Sequence, residues 1–94
     1  MTLYFVYILT NARHTVLYTG VTSDLKARVY QHREKAIPGF TARYNVYQVV
    51  CYEALNDPYS AIAREKQIKA GSRRQKLDLI NGFNPQWRDL YEEI

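Results

Sequence analysis

The chain has 94 residues, 47% of them hydrophobic, and a net charge of +4. That length buries one modest core and makes a single domain, and the apolar share excludes a disordered chain, which lacks the area to offset chain ordering. The basic balance favours anionic partners such as nucleic acid. The longest apolar run, around Leu3 to Leu9, falls far short of the about 20 residues a membrane span needs. No N-terminal stretch joins basic residues, a long apolar segment and a small-residue cleavage site, so a cytoplasmic location is expected. Cys51 is the only cysteine, which excludes internal disulfides and multi-cysteine zinc sites and leaves it as small core filler.

Taken in chain order, Leu3 to Leu9 is aromatic and β-branched, and both alternating sets, Leu3/Phe5/Tyr7/Leu9 and Tyr4/Val6/Ile8, are apolar. That pattern predicts a central strand covered on both faces. Asn11 to Thr15 is polar and turn-prone, so Val16 to Thr19 is predicted to return antiparallel, with Gly20 freeing a bend. Ser23 or Asp24 can cap a helix reaching Lys35, and Pro38-Gly39 supplies a turn. Tyr44 to Glu53 reads as a third strand. Asp57-Pro58 starts a helix from Tyr59 to Ala70, in which Ile62 and Ile68 are predicted to face inward. Gly71 stops it, and Ser72 with Gln75 forms a capping box for a last helix ending near Asn81-Gly82. The predicted class is α+β: a small three-stranded, mainly antiparallel sheet flanked by helices over residues 1–82. Residues 83–94 form a tail whose Trp87 docks on the body.

Three sets of residues carry possible chemistry. Leu25, Arg28, Val29 and His32 share one helix face. Arg28 and His32 there can aim at a phosphate, or they can be a solvated basic rim with stems along the core. Nine tyrosines make most of them ordinary aromatics, but Tyr7 and Tyr18 sit in two strands of one hairpin where their hydroxyls could converge. A phenol positions water, or acts as a base if nearby cations lower its pKa from about 10. Glu65, among lysines, is either an intrahelical ion-pair partner or a ligand for Mg²⁺, which needs only one or two carboxylates besides water and substrate phosphate.

The order of these residues resembles the GIY-YIG nuclease superfamily. Val6-Tyr7-Ile8 and Tyr18-Thr19-Gly20 are followed by Arg28, His32 and the helical Glu65, and the stretches around His32–Tyr44, Ala61–Ile80 and Asn84–Leu90 resemble its small single-domain bacterial members. Val6 and Thr19 depart from the name-giving triplets without removing a functional side chain. The resemblance implies that Tyr7 is the general base or a water-positioning hydroxyl and that Tyr18 orients nucleophile or phosphate. It implies that Arg28 stabilises charge on the phosphate, that His32 contacts substrate or relays a proton, and that Glu65 holds one divalent metal, Mg²⁺ or Mn²⁺. Gly20 would let substrate approach closely, and Asn84 matches a late asparagine of some members.

Members of this superfamily commonly carry a separate DNA-binding domain, so affinity here would rest on the chain's own basic surface. Arg64, Lys66, Lys69, Arg73, Arg74 and Lys76 cluster on two successive helices, with Arg13, Arg33, Lys35 and Arg43 near other loops. Such a surface either binds phosphates with salt-sensitive, sequence-tolerant affinity or merely keeps the protein soluble. The expectation is a metal-dependent nuclease acting on DNA or a related nucleic acid, with no membrane and no small-molecule cofactor. The alternatives are a nucleic-acid-binding module with little turnover, or a protein-interaction subunit whose tyrosines are structural.

Overall fold

A computed structural model describes residues 2–94. The elements run β1 (Tyr4–Thr10), β2 (Leu17–Thr22), α1 (Leu25–Arg33), α2 (Phe40–Arg43), β3 (Gln48–Leu55), α3 (Pro58–Ala70) and α4 (Arg73–Phe83), with a closing 3₁₀ turn at Tyr91–Glu93. The sheet order is β2-β1-β3, antiparallel throughout, so β1 is the central strand its two apolar faces require. This is the α+β class expected.

Each face of β1 seeds its own core. Val6 and Ile8 pack with Val50, Cys51, Ala61, Ile68 and Ile80. Tyr7 and Leu9 pack on the other side with Leu25, Val29, Val46, Val49 and Leu90. The register between β1 and β3 slips at Ile8/Leu9, where Ile8 faces Cys51 but Leu9 faces Val49. The bulge leaves Val50 unpaired opposite β1 and puts two consecutive residues, Val50 and Cys51, into the same core.

Local chemistry sets the helix ends. Asp24 caps α1 by accepting from the Ala27 amide, and Asp57 caps α3 by accepting from Ser60, with Pro58 at the first helical position. Ser72 and Gln75 close the expected capping box at α4. Helix α1 stops at Arg33, before the Lys35 expected from sequence. Lys35 turns left-handed at φ 55°, while the Lys35 and Ala36 amides bond back to the His32 and Gln31 carbonyls.

Other boundaries also differ from expectation. β2 continues through Gly20 to Thr22 instead of bending there. β3 begins at Gln48, four residues after the predicted start, because residues 40–43 wind into one helical turn and Asn45 then adopts φ 56°. Gly82 does not end α4, which runs to Phe83. On α3 the inward stripe is Ala61 and Ile68, with Ile62 exposed. Glu65 lies on that stripe, four residues after Ala61 and three before Ile68, which turns it toward the body of the protein.

The tail packs closely. Trp87 joins the Val6/Ile8 core and donates to Asn81 Oδ1 at 2.7 Å, and its ring lies 5.0 Å from that of His14. Leu90 reaches the opposite core, so the tail wraps from one face of the sheet to the other around β3.

Candidate active site

The hairpin places Tyr7 and Tyr18 on one face of the sheet, because Tyr7 pairs with Gly20 and Tyr18 pairs with Leu9. Gly20 is needed here for space. A Cβ at that position would collide with the Tyr7 hydroxyl and its Cζ, so the phenol lies across the vacant side of β2. The rings of Tyr7 and Tyr18 are 6.5 Å apart.

Helix α1 delivers His32 to the same point. The Tyr7 hydroxyl and His32 Nε2 are 3.1 Å apart, and His32 Nδ1 is 3.0 Å from Thr41 Oγ1. Tyr18 lies edge-on to the imidazole at 5.6 Å. Tyr7 and His32 are covered, at 1% and 2% exposure, whereas Tyr18, Arg28 and Glu65 are partly open. The site therefore has a buried floor and an accessible upper layer.

Burial and the neighbouring Tyr18 push the Tyr7 phenol up to about 12, against the pull of the Arg28 guanidinium that faces the same hydroxyl; Glu65 adds a smaller upward push. Burial, and then the Arg28 charge, lower the His32 pKa from 6.5. At neutral pH the pair is a protonated phenol beside a neutral imidazole. With the phenol donating to Nε2, Nδ1 carries the remaining proton and donates to Thr41.

From α3, the Glu65 side chain is 14% exposed and pairs with Lys69 at 2.8 Å. Lys69 in turn stands 5.9 Å from the Tyr18 ring centre. Tyr7, Tyr18, Arg28, His32 and Glu65 thus meet in one volume, and Lys69 joins them. Among the described residues no group of three His, Cys, Asp or Glu side chains could hold a metal. Of the residues gathered there, Glu65 offers the one carboxylate, a donor that suits a Mg²⁺-type ion completed by water and phosphate.

Other residues expected to bind substrate are engaged elsewhere. Arg64 makes a bidentate pair with Glu53, both contacts at 2.9 Å, and also holds Gln67. Glu53 thereby keeps it firmly charged. Arg73 donates to the Thr15 carbonyl and Arg74 pairs with Asp78. Arg33 serves the tail through Asp89 at 2.7 Å. Asn84 is buried and holds the tail turn, donating to the Val50 and Arg88 carbonyls and accepting from the Arg88 amide. None of its bonds reaches the five residues above.

Two contributors went unnoticed in the sequence: Thr41, and the exposed ring of Phe40, which stacks toward Tyr18 at 6.4 Å. Both sit on the one-turn helix α2, too short to show a periodicity. Thr41, a small polar residue between Phe40 and Ala42, gives no sign in sequence that it is buried.

Residues 3–78 match the model of the GIY-YIG catalytic domain, and the chain belongs to that nuclease family. It is similar to UPF0213 proteins of Staphylococcus haemolyticus, 32% identical over 85% of this chain and 96% of the relative, and of Clostridium perfringens, 31% identical over 96% of each. The solution structure of a UPF0213 protein from Bacillus halodurans shares the fold at a TM-score of 0.59 and 25% identity, covering 93% of this chain and 92% of that one.

Proposed function

We propose that the protein hydrolyses phosphodiester bonds of nucleic acid, DNA foremost, with a divalent cation bound at Glu65. The observation that supports this reading most directly is the 3.1 Å contact between the Tyr7 hydroxyl and His32 Nε2, formed in the same volume as Arg28 and Glu65. When bound, such a cation supplies charge neutralisation at the phosphate and the leaving oxygen.

The protein's own groups do the rest. A phenol raised to about 12 is a poor base by itself. Coupled to a neutral imidazole it can relay: an attacking water gives its proton to the Tyr7 oxygen as the Tyr7 proton passes to His32 Nε2. Thr41 holds the imidazole in the tautomer that leaves Nε2 free to accept. Arg28 faces the place where charge grows on the phosphate, and there a preorganised cation is worth most. Tyr18 orients the phosphate from the open layer. Glu65 would exchange its partner Lys69 for the cation, leaving the freed ammonium to contact the substrate phosphate.

The test is cleavage of plasmid, single-stranded and branched DNA with Mg²⁺ or Mn²⁺. Tyr7→Phe keeps the ring and removes the relay, and Glu65→Ala removes the only acidic donor. Each is expected to lower turnover by roughly 10²-fold or more while still unfolding cooperatively, with Tyr7→Phe losing about 1–3 kcal/mol because the buried His32 Nε2 is left unpaired. Cleavage at wild-type rate by both variants would place the chemistry somewhere else.

A further inference from the structure

The segment from Phe40 to Val46, which includes helix α2, buries Thr41 and Val46 and exposes its large rings, the reverse of what packing alone favours. Thr41 and Val46 are buried and joined by the Val46 amide to the Thr41 carbonyl at 2.9 Å. Phe40 and Tyr44 stand out at 46% and 47% exposure. Four residues apart on one turn, they share a side, with ring centres 5.0 Å apart. The turn is held from below: Thr41 bonds His32, and Gly39 enters it at φ 119°, a conformation that favours glycine.

The rings form a path. From Tyr18 in the site, Phe40 lies nearly parallel at 24°, and Tyr44 follows with the Arg43 guanidinium 5.5 Å from its centre. An exposed aromatic run beginning at a reaction centre and flanked by a cation fits a ligand that has both flat apolar faces and negative charge. An unpaired nucleotide has both. A duplex keeps its base faces stacked inside and offers none along its length, only the two terminal ones.

We propose that Phe40 and Tyr44, with Arg43, form a stacking platform for an unpaired nucleobase beside the scissile phosphate, so that the substrate must carry single-stranded nucleotides there. This rests on the nuclease reading only for where cleavage falls. The shared chemistry is the nucleobase face, available in DNA and RNA alike.

The test is fluorescence anisotropy of the full chain in EDTA, using labelled single-stranded DNA, single-stranded RNA and a blunt DNA duplex of about 20 nucleotides, longer than one such site covers. The wild type is expected to prefer a single strand over the duplex, and the DNA and RNA arms show which sugar is accepted. Phe40→Ala and Tyr44→Ala should each weaken single-strand binding roughly fivefold or more, leave duplex binding unchanged, and melt normally because both rings are exposed. Phe40→Trp should restore affinity, and a 5-iodouracil strand should cross-link within α2. Unchanged single-strand affinity in both alanine variants, equal losses on single strand and duplex, or cross-links confined to other elements would overturn the platform. So would a wild type that binds no strand, as a surface built for a protein partner would behave. If these binding patterns hold but no metal supports cleavage, the platform stands and the hydrolytic reading falls.

Discussion

Gly20 and Tyr7 are one unit. The phenol needs the volume that a side chain at position 20 would occupy, and its 1% exposure and bond to His32 leave it little room to retreat. Gly20→Ala should therefore push the hydroxyl off the imidazole and cost about 1–3 kcal/mol of stability, the range for overpacked sites. Urea denaturation reads the second effect and cleavage rate the first; a variant unchanged in both would mean that the ring swings aside freely. His32 makes a separate expectation about pH. Its folded pKa lies below the ordinary 6.5 because of burial and the Arg28 charge, with Tyr7, Tyr18 and Thr41 its uncharged neighbours. Below about pH 6.5 the unfolded imidazole takes up a proton that the folded one resists, so the unfolded state binds more protons and stability falls as pH falls toward the folded value. Above about pH 6.5 the contribution is complete. Stability of the wild type should thus drop more between about pH 7.5 and about pH 5 than that of His32→Gln. Equal drops would assign the acid sensitivity to the carboxylates.

The elements differ in how much of themselves the sequence discloses, and the difference follows the range of the forces that set them. Caps are local: Asp24, Asp57, Ser72 and Gln75 satisfy backbone donors within three residues, and the predicted helix starts coincide with them. The central position of β1 was legible from its two apolar faces. Ends set by distant partners were not. Gly20 reads as a bend until the Tyr7 ring is known to lie over it, and Lys35 reads as helix until its left-handed turn is seen. The single turn α2 offers no repeat to detect, so Thr41 stayed hidden although it holds the imidazole. On α3, a branched residue at position 62 looked like core, yet the stripe that packs is set by Ala61 and Ile68, and it is this stripe that turns Glu65 inward. Spacing alone put Tyr7 with Tyr18 in one hairpin and Arg28 with His32 on one helix face; that these belong with Glu65 was implied only by the resemblance to the GIY-YIG family. The supposed phosphate contacts Arg64, Arg73 and Arg74 were not separable from structural cations, since their partners Glu53, Thr15 and Asp78 include residues far off in sequence.

For the whole molecule the decisive matter is what the last eleven residues cover. β3 is an edge strand, and an uncovered edge invites pairing with other chains. The tail closes it: Asp89 accepts from the Val49 amide, the Leu90 amide donates to the Val49 carbonyl, and Asn84 donates to the Val50 carbonyl beside the bulge. Its side chains then lock onto α1. Lys26 donates to the Tyr91 carbonyl at 2.7 Å and lies 3.7 Å from that ring's centre, while Arg33 pairs with Asp89 over the Tyr91 ring. Leu90, 6% exposed, completes the core that holds the Tyr7 ring. A chain cut after Phe83 would lose all of these at once, against a total stability of about 5–15 kcal/mol for a domain of this kind. Leu90→Ala alone should cost about 2–5 kcal/mol. The cut chain is accordingly expected to show no cooperative thermal transition by circular dichroism and to associate through β3, which light scattering would register. A cut chain that melts cooperatively as a monomer would show instead that residues 1–83 close their own core, with the tail laid on a finished surface.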